Sequence, residues 1–205
     1  MITIVDYGAG NLRSVAKAFE YLGHPAVITA DPLVVAKADK IVLPGVGAFG
    51  KAMVSLTQRG LTTVVKEAAV SGRPFLGICL GLQLLFEESA ETFNGEETTY
   101  QGLGILPGRV LRFPRSALKI PQIGWNQLHL VRENPLFKGV ANGSYVYFVH
   151  SYYVQPTDPA VITGRTDYGI TYCSAVNREN LFAVQFHPEK SGAVGLKMLR
   201  NFGEL

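Results

Sequence analysis

The sequence has little of several features that would assign a protein to a special class. It has two cysteines in 205 residues, which is too few for a disulfide framework, and neither has a second cysteine at metal-ligand spacing. No stretch offers about 18 uninterrupted apolar residues, so we expect no membrane-spanning helix. The opening residues, MITIVDYGAG, show no secretory signal. These absences predict a soluble protein of the cytoplasm.

Charged residues are also sparse, and they are spread along the chain. The net charge is +3, and 17% of the residues are charged. The lysines and arginines form no cluster of the kind that contacts nucleic-acid phosphates. The sequence shows no low-complexity run, internal repeat or linker, and its length suffices for one sizeable core. We therefore predict one domain over residues 1–205 that binds neither nucleic acid nor a membrane.

The first half of the chain alternates between strand and helix patterns. Short apolar runs at 2–6, 26–30 and 40–45 predict β-strands. A helix is predicted from Ser14 to Gly23, with Ser14 as its N-cap. Strands that alternate with helices in this way are typical of a parallel sheet covered on both faces.

The second half has a different pattern. Short alternating runs, separated by Gly, Asn and Pro, predict antiparallel strands and hairpins added to the parallel part. A final helix is predicted from about Val194 to Phe202. The predicted fold class is therefore α/β, with a central mixed, mostly parallel sheet flanked by helices and extended by antiparallel strands.

One of the two cysteines, Cys79, lies in FLGICLGLQLLF, where a strand pattern meets a helix pattern that continues through LGLQLLFEESAE. Gly77 and Gly81 leave room for a sharp turn, so the segment fits a nucleophile elbow with sulfur in place of oxygen. The helix N-terminus would favour a thiolate, and the N–H of Leu80 could hold an oxyanion. A free cysteine is more often buried packing, and this pattern alone leaves both interpretations open.

A second motif, AVQFHPEKS, supplies a base at a strand end. His187 follows the strand, and Glu189 could orient its imidazole. Nucleophile, base and orienting carboxylate are the minimum set for acyl transfer, and they need to meet only in space. A third motif, LPGVGAFG, places Gly45 and Gly47 around Val46 and could add an oxyanion donor, although its glycines alone indicate a simple turn.

The remaining candidates are weaker. DYGAGNLR has Arg13 where a dinucleotide fingerprint needs its third glycine. His24 is interpreted as a surface residue after a helix, and His129 has no partner nearby in the sequence. Cys173 is predicted to be buried packing. Because no His, Cys and carboxylate cluster has zinc spacing, we predict no metal and no cofactor.

Taken together, GICLGLQ, LPGVG and QFHPEKS resemble the motifs of class I (triad-type) glutamine amidotransferases. The segments VDYGAGNLRSV, PGVGAFG, IGWN and YFVHSYYV narrow the resemblance to one branch, the glutaminase subunits of imidazole glycerol phosphate synthase in histidine biosynthesis. The resemblance spans nearly the whole chain, with no departure at the triad positions. It implies an α/β fold and one glutamine amidotransferase type-1 domain over residues 1–205.

The resemblance also implies a role for each motif. Cys79 would attack the side-chain carboxamide of L-glutamine and form a glutamyl thioester. His187 would carry the proton to the departing ammonia, and Glu189 would hold the imidazole tautomer. The oxyanion would lie against the N–H groups of Leu80 and of the loop at Val46 and Gly47. The implied substrate-binding residues are Gln83, His150, Ser151 and Tyr152.

A partner is implied as well. In the family, ammonia passes through a (β/α)8 barrel, the cyclase subunit of a heterodimer. That subunit makes imidazole glycerol phosphate and aminoimidazole carboxamide ribotide. The positions that match the family's docking face are Asn11, Ile123, Trp125, Tyr147 and Lys190. From the residues alone, Trp125 fits an interface anchor and a core aromatic equally well. Permissive glycines around Val46 raise the further hypothesis that the partner switches the glutaminase through this loop.

Three alternatives remain open. A glutaminase subunit of another synthase, such as anthranilate synthase, would keep the triad. A catalytically silent protein of the same fold would only bind a partner, although the intact set of Cys79, His187 and Glu189 disfavours it. A cysteine peptidase with a related elbow would act on peptides rather than on free glutamine.

Overall fold

The secondary structure follows the two-part pattern of the sequence. The computed structural model describes residues 1–93, 96–114 and 118–205. The described helices are α1 (Leu12–Tyr21), α2 (Pro32–Ala36), α3 (Phe49–Gln58), α4 (Thr62–Val70), α5 (Leu80–Leu84) and α6 (Gly192–Glu204). Short 3-10 helices cover Pro135–Phe137, Pro159–Val161 and Pro188–Lys190. None of the described helices has the length and apolar character needed to cross a membrane.

Thirteen described strands form one mixed sheet. They are β1 (Ile2–Val5), β2 (Ala26–Thr29), β3 (Lys40–Gly45), β4 (Phe75–Cys79), β5 (Phe86–Phe93), β6 (Glu96–Gln101), β7 (Leu106–Arg112), β8 (Gln122–Leu130), β9 (Ser144–His150), β10 (Tyr152–Pro156), β11 (Ile162–Asp167), β12 (Thr171–Arg178) and β13 (Leu181–Val184). The main path runs β2-β1-β3-β4-β13-β12-β10-β7-β5-β6, and β11, β8 and β9 extend it from β12.

The sheet has a parallel part and an antiparallel part. Strands β2, β1, β3, β4 and β13 run parallel. Beyond β13 the pairs are antiparallel, apart from the parallel pair of β5 and β7. The predicted α/β class with a mixed sheet and added antiparallel strands is confirmed. Strand β13 joins the two parts, because it pairs antiparallel with β12, as the sequence predicts for the second half, and parallel with β4 on its other edge.

Two apolar cores cover the two faces of the parallel part. Successive residues of β3 point to opposite cores: Leu43 packs with α2 to α5, and Val42 packs with α1 and α6. Both residues are fully buried, as expected for strands covered on both faces. The loops at the carboxyl ends of the parallel strands therefore extend from strands that are packed on both faces.

Two helix boundaries differ from the prediction. Helix α1 begins at Leu12 with Asn11 as its N-cap residue, and the N–H of Ser14 bonds to the Asn11 carbonyl. Ser14 is therefore inside the helix and is not its N-cap. The helix after Cys79 ends at Leu84, because the FEESAETF segment pairs with β6 and β7 as β5.

Candidate active site

The sharp turn around Cys79 is built by close packing of backbone. Cys79 is the last residue of β4 and precedes α5. Its backbone has φ of 56° and ψ of −110°, a conformation that residues other than glycine rarely adopt. A Cβ atom on Gly81 would lie 1.8 Å from the carbonyl oxygen of Leu43, and one on Gly77 would lie 3.0 Å from the carbonyl oxygen of Gly81. The turn that presents the thiol therefore requires glycine at position 81 and leaves little room for a side chain at Gly77.

His187 lies beside this turn because of the parallel pairing. Strand β13 pairs with β4, and His187 follows β13 by three residues, so the carboxyl ends of both strands meet. The Nδ1 atom of His187 is 2.8 Å from Oε1 of Glu189, and the two side chains are 2% and 1% exposed. The structure thus brings the predicted base and its orienting carboxylate into contact.

The pKa of His187 reflects its two neighbours. Burial lowers this pKa, but the interactions with Cys79 and Glu189 outweigh burial and raise it to about 10. By geometry the Nε2 atom has no hydrogen-bond partner among the described residues, and Cys79 lies close enough to raise the pKa of the ring. The imidazole is therefore placed to accept a proton from the thiol.

The loop after β3 lies next to the nucleophile. Gly45 pairs with Cys79 in the sheet register, and a Cβ on Gly45 would lie 2.8 Å from the Cβ of Leu80. Val46 is 41% exposed. Gly47 has φ of +95°, and a Cβ there would meet no atom within 4 Å. The loop that was predicted to supply an oxyanion donor thus stands beside Leu80 with room to move.

A cavity of about 610 Å³ opens on Cys79, a volume typical of small-molecule sites. Its lining includes all the predicted oxyanion residues and all the predicted substrate-binding residues. His187 and Glu189 are not among the lining residues. Its lining residues are Val46, Gly47, Ala48, Cys79, Leu80, Gln83, Glu91, Pro121, Val149, His150, Ser151, Tyr152 and Lys190.

A larger cavity, of about 860 Å³, lies elsewhere, along residues 130–140. Its lining contains Arg132, Glu133 and Lys138 but no cysteine or histidine. Size alone therefore does not identify the site, and the chemistry of the lining favours the smaller cavity.

The sequence analysis missed two residues at the site. Glu91 lies on β5, and its carboxylate accepts hydrogen bonds from the backbone N–H groups of Phe49 (2.6 Å) and Gly50 (3.0 Å) at the start of α3. Gln185 is fully buried, and its Nε2 atom is 3.7 Å from the Cys79 sulfur. The helix predicted through FEESAE concealed the position of Glu91. The place of Gln185 in QFHPEKS, two residues before His187, was a usable signal.

Four of the predicted docking residues, Ile123, Trp125, Tyr147 and Lys190, lie close together. Ile123 and Trp125 alternate on β8 and are 62% and 54% exposed. Trp125 pairs with Tyr147 across the strands, with ring centroids 6.1 Å apart, and the ammonium group of Lys190 lies 5.8 Å from the Tyr147 ring centroid. Helix α1, which begins after Asn11, contacts the 3-10 helix that contains Lys190. Trp125 is therefore a surface residue and not a core aromatic.

The other candidates from the sequence lie away from this cavity. His24 packs against Gly203, and His129 forms an exposed pair with Asp167 at 3.8 Å. Cys173 is buried, and burial raises the pKa of its thiol to about 12, which makes it unreactive. Within residues 1–93, 96–114 and 118–205, no three His, Cys or carboxylate side chains are grouped to hold a metal ion.

Comparison with known proteins identifies the class to which this protein belongs. The family model "Glutamine amidotransferase class-I" matches residues 3–204, and the chain belongs to that family. The protein is similar to imidazole glycerol phosphate synthase subunit HisH of Syntrophotalea carbinolica, with 55% identity over 211 residues and 100% of each chain covered. It is also similar to the subunit of that name from Geobacter sulfurreducens, with 53% identity, 100% of this chain and 98% of the other covered.

A solved structure supports the fold independently of close sequence similarity. The structure of PurLQS from Thermotoga maritima matches with a TM-score of 0.75 at 20% identity, covering 98% of this chain and 96% of that chain. At this identity the match shows the fold alone. The α/β architecture of class I glutamine amidotransferases is thus present in this protein.

Proposed function

We propose that this protein is the glutaminase subunit of an imidazole glycerol phosphate synthase. The observation that carries the proposal is that Cys79, which lines the 610 Å³ cavity, lies beside the buried pair of His187 and Glu189. The similarity to HisH subunits over the full chain supports the particular synthase. The reaction is hydrolysis of L-glutamine to glutamate and ammonia.

In the proposed mechanism, His187 takes the proton of the Cys79 thiol at Nε2, and the sulfur attacks the side-chain carboxamide carbon of glutamine. Glu189 accepts the Nδ1–H hydrogen bond, which fixes the tautomer that leaves Nε2 free to act as a base. The interactions with Cys79 and Glu189 that raise the pKa of His187 stabilise the imidazolium that forms. The imidazolium then gives its proton to the departing ammonia.

The negative charge of the tetrahedral intermediate lies against the backbone N–H of Leu80 and an N–H from the loop at Val46 and Gly47. Water then attacks the glutamyl thioester, with His187 again as the base, and glutamate leaves with the Cys79 thiol restored. Gln83, His150, Ser151 and Tyr152 bind the rest of the substrate. Their place in the lining of the cavity supports these roles.

The proposal includes a partner. Ammonia passes to a cyclase subunit with a (β/α)8 barrel, and the two chains form a heterodimer. The cyclase then makes imidazole glycerol phosphate and aminoimidazole carboxamide ribotide. Asn11, Ile123, Trp125, Tyr147 and Lys190 form the docking surface. The exposure of two large apolar side chains on β8 supports this assignment. The scarcity of cysteine and the two free thiols support a cytoplasmic location.

The test is glutamate release from L-glutamine by the purified chain. The chain is assayed alone, and then with the candidate cyclase and its ribotide ligand. We expect strong stimulation by the cyclase and its ligand, and no release by Cys79→Ala under any condition.

Each alternative predicts a different result. Equal activity with and without the cyclase would reject the assigned synthase. Activity retained by Cys79→Ala would reject the triad. Cleavage of peptides in preference to free glutamine would identify a peptidase.

A further inference from the structure

A chain of buried polar side chains runs behind the substrate wall of the cavity. Gln122, Tyr172 and His150 are 2%, 1% and 6% exposed. The Tyr172 hydroxyl is 2.8 Å from the carboxamide oxygen of Gln122 and 3.2 Å from Nε2 of His150. These three side chains come from β8, β12 and β9. None of them belongs to the proposed triad.

The direction of these hydrogen bonds follows from what each atom can do. Nδ1 of His150 is 2.8 Å from the carbonyl oxygen of Tyr152. A carbonyl oxygen can only accept, so Nδ1 carries a proton. Burial lowers the pKa of His150 to about 4, and the imidazole is therefore neutral at pH 7. Its Nε2 atom is then an acceptor, and the Tyr172 hydroxyl donates to it.

The Gln122 side chain is the other hydrogen-bond partner of the Tyr172 hydroxyl. Its Nε2 atom is buried and makes no hydrogen bond to the described residues in the placed orientation. A carboxamide keeps its shape when its oxygen and nitrogen exchange places. After that exchange, one N–H of Gln122 donates to the Tyr172 oxygen, and the Tyr172 hydroxyl proton is left to donate to His150. The Thr166 side chain also interacts with Tyr172. Because the Thr166 hydroxyl donates its proton to Ser174 at 2.9 Å, it does not donate to the Tyr172 oxygen.

At its other end the chain reaches the site itself. The Tyr152 carbonyl that accepts from His150 also accepts from Nε2 of Gln83, at 3.0 Å. The same Nε2 atom donates to the Gln185 carboxamide oxygen at 3.0 Å. Gln83 therefore has both amide protons engaged, and its orientation depends on the Tyr152 carbonyl staying in place.

We propose that Tyr172 is a positioning residue for the glutamine site, because its hydroxyl fixes His150, and His150 fixes the Tyr152 carbonyl that orients Gln83. Tyr172 is 1% exposed and is not among the lining residues of the 610 Å³ cavity, so it acts through these side chains and not on substrate. This inference rests on the proposed glutaminase function. It adds a structural requirement that no motif around Cys79 or His187 contains.

The test compares Tyr172→Phe with Tyr168→Phe in the complex with the cyclase. The Tyr168 hydroxyl donates to the Lys119 carbonyl at 2.7 Å, and its ring contacts Phe113, which also contacts the Tyr172 ring. The control thus removes a hydroxyl from the same aromatic cluster and leaves the chain of hydrogen bonds intact. For Tyr172→Phe we expect the KM for glutamine to rise about three- to tenfold, with kcat changed less than about twofold. Tyr168→Phe should keep both constants.

A second measurement needs no turnover. In the resting protein labelled with ¹⁵N-histidine, His150 should carry its proton on Nδ1, and its Nε2 signal should move in Tyr172→Phe. The rate of Cys79 alkylation by iodoacetamide should stay within about twofold, because the triad is untouched.

The inference would be overturned by a proton on Nε2 of His150, or by an unchanged KM in an active Tyr172→Phe complex. A wild-type complex without glutaminase activity would instead reject the proposed function. The ¹⁵N signals of His150 would still decide whether the Tyr172 hydroxyl donates to the imidazole.

Discussion

His187 illustrates how one residue links the proposed chemistry to stability. Its pKa is raised above the ordinary 6.5 to about 10, because Cys79 and Glu189 together outweigh burial. A pKa raised in the folded state means that folding favours the protonated imidazole. That contribution to stability is complete below pH 6.5, and it is lost as the pH rises through about 10.

We therefore predict that Glu189→Gln loses more stability at low pH than at high pH. At pH 6 we expect a loss of about 3 kcal/mol in the free energy of unfolding, because a buried charged partner is removed. The difference from wild type should shrink as the pH rises from 6.5 towards 10. Urea unfolding of both proteins at pH 6, 8 and 10 measures it.

The matched control for this experiment is Asp167→Asn, which removes the carboxylate of the exposed pair with His129. Exposed pairs contribute little, so its effect should stay within about 0.5 kcal/mol at every pH. A loss for Glu189→Gln that does not vary with pH would contradict the account of His187.

Some residues of the site could be predicted from local motifs, and others could not. Cys79 lies between two glycines, and Glu189 lies two residues after His187, so short segments contain the triad. Tyr172 and Gln122 are 50 positions apart, and only the pairing of strands brings them together. A hydrogen-bond chain across three strands leaves no signature in any one segment.

At the scale of the element, the turn between β4 and α5 depends on the absence of a side chain at Gly81. We predict that Gly81→Ala loses more than about 3 kcal/mol of stability or fails to fold, because its Cβ would overlap the Leu43 carbonyl. Gly104→Ala is the control. Gly104 has positive φ, of +62°, which Gly81 does not have, but a Cβ there meets no atom within 4 Å.

The control should lose only about 1 kcal/mol, which is the cost of its backbone conformation. Thermal and urea unfolding followed by circular dichroism measure both variants. Equal losses in the two would contradict the account of Gly81, because overlap with the Leu43 carbonyl should cost more than a strained backbone conformation in open space.

In the loop between β3 and α3, a glycine can be replaced without a steric clash, unlike Gly81. Gly47 combines φ of +95° with open space, so Gly47→Ala should fold and lose about 1 kcal/mol. We expect it to lose most of the glutaminase activity that the cyclase and its ligand stimulate, because alanine disfavours the loop conformations that glycine permits. Wild-type turnover in this variant would reject a switching role for the loop.

The element boundaries show where local patterns fail. Ser14 is a good N-cap residue by type, yet α1 begins earlier at Leu12. The segment after Leu84 has a helix pattern, but sheet pairing with β6 and β7 makes it a strand. In the second case tertiary pairing outweighs local propensity, and a single sequence does not contain the partner strands' positions.

At the scale of the whole molecule, the exposed aromatic surface predicts the strength of the heterodimer. We expect Trp125→Ala to weaken binding of the cyclase by about 30-fold or more. A tryptophan that a partner covers is a frequent hot spot of an interface. Tyr21→Ala is the control, because Tyr21 is 79% exposed and lies at the other end of α1 from Asn11.

Isothermal titration calorimetry of the two chains measures the effect. Tyr21→Ala should change the affinity less than about twofold. An unchanged affinity for Trp125→Ala would move the docking surface elsewhere.

The class of the whole fold was predictable because alternating strand and helix patterns imply a parallel sheet. The place of β13 was not predictable from its own pattern. It follows antiparallel β12, and its other edge pairs with β4 in parallel. That pairing places His187 at the end of the strand that holds Cys79. The site therefore depends on pairing between two strands that are more than 100 positions apart in the sequence.

The backbone at Cys79 has a further consequence for how such a protein can change over time. Its φ of 56° and ψ of −110° suit glycine and strain any other residue, by about 1–3 kcal/mol. Cys79→Gly should therefore melt at a higher temperature than Cys79→Ala, which keeps the strain without the thiol. A descendant released from selection for ammonia production would gain stability by losing its nucleophile, so inactive copies of this fold should drift towards glycine at this position.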